Sequence, residues 1–179
     1  MDIYKLDFTK LELETLNYLS LKAGEKLSQR ETAQALRVSP TAIANAVKKL
    51  REKNLITMQA TKTINFISYN RDNPEAITHK KIENQRQLHT SGLTQHLEEQ
   101  LAGATIILFG SYAKGEDTTT SDIDIAAIGR KKKNINLTPY EKTLGRTINI
   151  NHYDKWDDIH KNLKDNILNG ITLTGAVRL

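Results

Sequence analysis

Two apolar, β-branched runs frame the stretch that most constrains how this chain folds. The first, Thr105-Ile-Ile-Leu-Phe109, runs straight into Gly110-Ser111, and the second opens as Ser121-Asp122-Ile123-Asp124-Ile125. Short apolar runs bounded by glycine and polar turns read as strands. Successive side chains on a strand point to opposite faces, so Asp122 and Asp124 emerge together while Ile123 and Ile125 enter the core. Two carboxylates held side by side repel unless a cation lies between them. The second half of the chain therefore needs a sheet with an acidic pair on one strand.

Each part of this stretch has a chemical use. Glycine at a strand end lets backbone amides approach a triphosphate, because no Cβ stands in the way. Ser111 adds a hydroxyl donor, and the helix start behind it adds a favourable dipole. Lys114 either adds cationic support or is simply solvated. Carboxylate and phosphate oxygens are the hard ligands that Mg²⁺ takes, which suits metal-assisted phosphoryl or nucleotidyl transfer. A lone Gly-Ser is usually a turn, and a lone Asp-x-Asp is more often a solvated strand end; the combination is more specific.

The whole pattern, from the apolar strand through Gly110-Ser111, Lys114-Gly115 and a polar loop to Ser121-Asp122-Ile-Asp124, resembles the DNA polymerase β-like nucleotidyltransferases. It is closest in kind to their minimal prokaryotic members, and the resemblance covers Leu93 to about Gly175. It implies a mixed sheet flanked by helices and transfer of a nucleoside monophosphate from NTP to an acceptor. By position, Gly110, Ser111 and Lys114 would hold the nucleotide, and Asp122 and Asp124 would be the catalytic, Mg²⁺-binding acids. Some members are antitoxins that modify a toxin, so a protein partner is implied as one acceptor and nucleic acid as another.

Active members usually carry a third carboxylate on a nearby strand. The matching run here is Thr147-Ile-Asn149-Ile-Asn151. Asn149 is thus a degenerate third catalytic position: its amide oxygen can ligate a metal, but it has no charge and accepts no proton usefully. Asp154, Asp157 and Asp158 either substitute along another backbone path or serve as first-turn charges of the last helix. His152 is either a base or an ordinary histidine at a strand end.

The first half reads as three helices and a hairpin. Lys10–Leu21 carries Leu13, Leu16 and Leu19 at helical spacing; Ser28 and Glu31 form a capping box; and Ser39-Pro40 opens a third helix whose inward stripe is Ile43, Val47 and Leu50. Ile56–Ala60 and Ile64–Ser68 then alternate around Thr61-Lys62. This order resembles a winged helix-turn-helix. Thr41, Asn45 and Lys48 would reach base edges of duplex DNA, while Lys49, Arg51 and Lys62 would meet phosphates. A structural or dimerising module with a solvated charged face is the alternative.

These readings divide the chain into a winged helix over 1–72, a helical connector over 73–92 and a nucleotidyltransferase domain over 93–179. On the connector, His79, Lys80, Lys81, Arg86 and His89 either extend a basic surface or keep the helix soluble. Thr138-Pro-Tyr-Glu141 repeats the capping-box pattern before a short helix ending at Gly145, and Asp157 to Asn169 reads as one amphipathic helix stopped by Gly170. The net charge of +5 favours anionic partners. The absence of cysteine excludes disulfides and thiolate metal sites and fits a cytoplasmic protein. No run approaches a membrane span. The expected fold class is α+β, and the expected function is Mg²⁺-dependent nucleotidyl transfer targeted by a winged helix. The rival is a catalytically weak, nucleotide-sensing DNA-binding regulator, and a homodimer is open to either.

Overall fold

The computed structural model describes residues 8–61 and 63–177. The chain separates into two compact units that divide between Ile77 and Thr78. In the first unit, helix α1 (Lys10–Leu21) begins at a capping box in which Thr9 and Glu12 satisfy each other's amides. A two-residue strand β1 (Leu27–Ser28) leads to α2 (Gln29–Leu36), where the Ser28–Glu31 capping box forms as expected. Helix α3 (Pro40–Glu52) starts at Ser39, whose hydroxyl accepts from the Ala42 amide. Strands β2 (Ile56–Ala60) and β3 (Asn65–Tyr69) form the hairpin, and β1 adds to its far side in the order β1-β3-β2. The sequence reading missed β1, because two residues show no alternation. Leu16, Leu19, Ala33, Ile43, Val47, Leu50, Ile56 and Ile67 form the core. Leu13 is only partly covered.

Helix α4 (Pro74–Thr90) crosses the division between the units, and α5 (Leu93–Gln100) follows a turn at Gly92. Strand β4 (Thr105–Phe109) runs into the short helix α6 (Gly110–Lys114); β5 (Ile123–Ile128) comes next, then α7 (Thr138–Leu144) and β6 (Ile148–Tyr153). Helix α8 (Lys161–Leu168) and strand β7 (Ile171–Thr174) close the unit. The sheet has the order β6-β5-β4-β7 and is mixed: β5 and β6 are parallel, whereas β4 is antiparallel to both β5 and β7. Ile106, Leu108, Ile123, Ile125, Ala127 and Ile148 pack with Leu88, Leu93 and Leu97, and Ile107, Phe109, Ala126 and Ile128 pack with Ile159 and Ile167. The second unit is thus an α+β fold with helices against both faces of its sheet.

Two local expectations are corrected. Thr138 does not cap α7: Asn136 accepts from the Thr138 amide, and Glu141 instead accepts from the Ile148 amide at 3.0 Å. The last helix is also shorter than the periodicity suggested. Trp156–Asp158 forms a separate 3₁₀ turn, Ile159 is extended, and α8 starts at Lys161. Ile159 still reaches the core from this extended position. Among the described residues no helix is long and apolar enough to cross a membrane.

Candidate functional site

The site is built where β4 ends. Gly110 has φ +76°, in the left-handed region, and a Cβ there would lie 2.7 Å from Asp124 Oδ2. The backbone conformation favours glycine, and a Cβ would push the Asp124 carboxylate aside. Phe109, just before it, pairs in register with Asp124 on β5. The turn that presents Gly110 and Ser111 therefore sits directly against the second acid. Lys114 is exposed at the far end of α6.

Parallel pairing of β5 with β6 sets Asn149 beside Asp124. The Asn149 amide nitrogen donates to Asp122 Oδ2 at 3.2 Å and to Asp124 Oδ1 at 3.4 Å. Asp122, Asp124 and Asn149 thus form one cluster, with Asp124 partly buried and the other two exposed. The same amide turned over would direct its oxygen toward a cation. Among the described residues, no three acidic, histidine or cysteine side chains converge as a metal cage. Two carboxylates and one amide instead fit Mg²⁺ shared with phosphate oxygens, since Mg²⁺ is usually held by one or two carboxylates plus the substrate. A cleft of about 720 Å³ lined by Leu101, Gly129, Arg130 and Asp154 opens near the opposite end of β5. The position of the carboxylates, not cavity size, locates the candidate site.

His152 and Asp154 fall away from the cluster. His152 lies within β6 and pairs with Ala127. Alternation places it on the opposite sheet face from Asn149, so the general-base reading of His152 is corrected. Burial, with a smaller contribution from Lys132, lowers its pKa. Asp154 lies beyond the far end of β6, and Asp158 accepts from the Lys155 amide at the 3₁₀ turn.

Sequence reasoning missed a buried polar cluster behind the site. Asp117 lies in the loop between α6 and β5 with its side chain fully covered; Lys80 Nζ approaches it at 3.1 Å and Arg146 Nη2 at 3.2 Å. Asn84 donates to Asp117 Oδ1 at 2.7 Å. The reading of Lys80 as part of an exposed basic face is corrected: it is 1% exposed. Lys80 lies four residues before Asn84, so one face of α4 carries both. Two polar residues at that spacing within an otherwise polar helix were the only available signal. Burial, then the nearby charge of Asp117, pushes the Tyr112 phenol above its ordinary range.

On α3 of the first unit, Thr41, Asn45, Lys48, Lys49 and Arg51 are all exposed, opposite the buried stripe of Ile43, Val47 and Leu50. Lys49 is not unengaged: it pairs with Glu12 of α1 at 3.3 Å. The Thr9 amide, opposed by burial and helped by Lys49, holds the Glu12 carboxyl below the usual range. Lys62 lies outside the described residues.

A mixed sheet carrying a glycine turn against an acidic pair, joined to a winged helix, defines a two-part class of protein, and the comparisons agree with it. A nucleotidyltransferase domain model matches residues 91–169, and a winged helix-turn-helix DNA-binding model matches residues 8–57. A Methanocaldococcus jannaschii protein described as a "Putative protein adenylyltransferase" is 40% identical over 67 residues, covering 35% of this chain and 69% of that protein. The chain belongs to the nucleotidyltransferase family, with an N-terminal winged helix-turn-helix. Among solved structures, Lactococcus lactis ZitR is 21% identical with a TM-score of 0.40, over 54% of this chain and 64% of that one. Staphylococcus aureus MepR, a transcription regulator of a multidrug efflux pump, is 22% identical with a TM-score of 0.40, over 52% of this chain and 70% of that one. This chain therefore spans less than two thirds of ZitR, and likeness at this level is too loose to carry function across.

Proposed function

We propose that the second unit binds a nucleoside triphosphate with Mg²⁺ and that this occupancy adjusts duplex-DNA binding by α3 of the first unit, with nucleotidyl transfer slow or absent. The observation that carries the reading is Asn149. It bridges Asp122 and Asp124 where an active site of this family would present a third carboxylate. Gly110, Ser111 and Lys114 would hold the phosphates, and Asp122 and Asp124 would hold the ion. Magnesium, when bound, supplies the charge that neutralises the triphosphate. Among the described residues, the side chain set beside the two acids is the Asn149 amide, which does not take a proton from an acceptor hydroxyl, a role worth about 10²–10⁴ in rate. The working division is a winged helix over 1–72, a connector over 73–92 and a nucleotidyltransferase domain over 93–179.

A second reading, transfer of a nucleoside monophosphate to a protein acceptor, is favoured by the 40% identity to the archaeal protein and its printed description. Two measurements separate the readings. Anisotropy of a labelled duplex, titrated with and without ATP and Mg²⁺, is expected to show an affinity shift that Asp122→Ala/Asp124→Ala abolishes. Incubation with α-labelled NTPs and lysate is expected to label little. Brisk labelling with no nucleotide effect on DNA binding would establish transfer instead.

A further inference from the structure

Three backbone segments carry the candidate site: α6 with Gly110 and Ser111, the loop and strand with Asp122 and Asp124, and β6 with Asn149. Each is tied to the Asp117 cluster. Asn84, while donating to Asp117, also donates to the Tyr112 carbonyl of α6 at 2.9 Å. Arg146, while pairing with Asp117, donates through Nη1 to the Thr118 carbonyl. That loop folds back on itself, with Thr118 N donating to Ser121 Oγ at 2.9 Å and Ser121 N to the Thr118 carbonyl at 3.1 Å. Asp122 is the next residue. Arg146 itself lies just ahead of β6, whose entry is fixed by the Ile123 amide donating to the Thr147 carbonyl at 2.9 Å.

Burying Lys80, Asp117 and Arg146 together is a poor way to gain stability, because desolvation offsets much of the attraction. Charge-assisted hydrogen bonds do give something apolar contact does not: fixed directions and separations. We infer that Asp117, with Lys80, Asn84 and Arg146, is the positioning cluster of the nucleotide site, setting the spacing between the phosphate-binding turn and the acidic strand. All four are buried side chains, distinct from the residues that would hold the nucleotide and the ion. They act through the Tyr112 and Thr118 carbonyls and the chain entering β6. The inference rests on the nucleotide reading proposed above.

Asp117→Asn keeps the shape but removes the charge facing Lys80 and Arg146. Removing a supporting partner of a metal site typically costs about 10–100-fold in affinity, and calorimetry with ATP and Mg²⁺ is expected to show a loss in that range. Adding Lys80→Met, which removes one of the two cations that face Asp117, is expected to restore part of it. Leu97→Ala is the comparison, because Leu97 is fully buried in the core of the same unit. It is expected to lower the melting temperature while leaving nucleotide affinity intact well below the melt. Equal affinity losses at equal melting-temperature losses in the two variants would overturn the inference. Hydrogen exchange at the Ser121 amide reads the cluster without nucleotide: Asp117→Asn should accelerate it, and Leu97→Ala should not. If the natural protein binds no ATP with Mg²⁺, the nucleotide reading fails by itself. Unchanged Ser121 exchange in Asp117→Asn would separately overturn the positioning role. Should Asp117→Asn not fold, Arg146→Lys, which keeps the charge and loses the forked contact, carries the same comparison.

Discussion

Replacing Asn149 by aspartate would set a carboxylate where an amide nitrogen now lies 3.2 Å from Asp122 and 3.4 Å from Asp124. Three acids at that spacing repel in the absence of a cation. Asn149→Asp is therefore expected to lower the melting temperature in chelator and to enlarge its rise on adding Mg²⁺, as differential scanning fluorimetry would read. With a base restored, transfer to an acceptor or to the protein itself should rise by up to about 10²–10⁴ with little change in nucleotide affinity. Natural protein that transfers briskly and slows on Asn149→Asp would overturn this. Asn149 was legible because strand alternation alone aims it, and Gly110 was legible because the strand-Gly-Ser pattern is local. Asp117 was not. Its burial depends on α4 and on the segment before β6, distant in sequence, and an Asp after Glu116 in a polar loop looks solvated until the fold closes over it.

At the scale of elements, the helices with complete local signals formed as read. Ser28 and Glu31 satisfy each other's amides, and the Ser39 hydroxyl accepts from the Ala42 amide while Pro40, at the first helical position, has no N–H to satisfy. Thr138 with Glu141 presents the same spacing, yet tertiary structure recruits Glu141 to the Ile148 amide instead, which no local pattern could reveal. The pairing of α1 with α3 has a functional consequence of the same long-range kind. Glu12 engages Lys49, so Lys49 is partly occupied by an acid of its own chain. If α3 meets DNA phosphates, Glu12→Gln should free Lys49 while keeping the α1 cap, because glutamine serves equally at that position. The expected result is tighter duplex binding and a salt slope steeper by up to about one unit, the counterion released by one added phosphate contact. Anisotropy titrations over a series of salt concentrations measure it. An unchanged slope, with Lys49→Ala also inert, would remove Lys49 from the DNA-facing set.

For the molecule as a whole, acid should weaken the two units at different pH. His79, on the part of α4 that belongs to the second unit, has its pKa lowered chiefly by burial, which disfavours the imidazolium; Glu83 opposes the shift, and Lys80 adds to it. His152, in the same unit, is lowered by burial as well. A depressed value means that the unfolded chain takes up the proton first. The second unit thus keeps its full contribution from these groups above about pH 6.5, the ordinary histidine value, and loses it as pH falls through the folded values. Glu12, in the first unit, is also depressed, through the Thr9 amide and Lys49. Its contribution is present above the ordinary carboxylate value and is lost as pH falls below that value through the folded one. Thermal unfolding followed by unit-specific hydrogen exchange, stepped from about pH 7.5 down to about pH 2.5 so as to pass below the ordinary carboxylate values, should therefore show the second unit weakening first and the first unit only later. His79→Gln should blunt the early loss without touching the later one, and Glu12→Gln should do the reverse. Simultaneous weakening of both units near pH 6, unaffected by His79→Gln, would mean that the two unfold as one and that His79 is not what sets the early step.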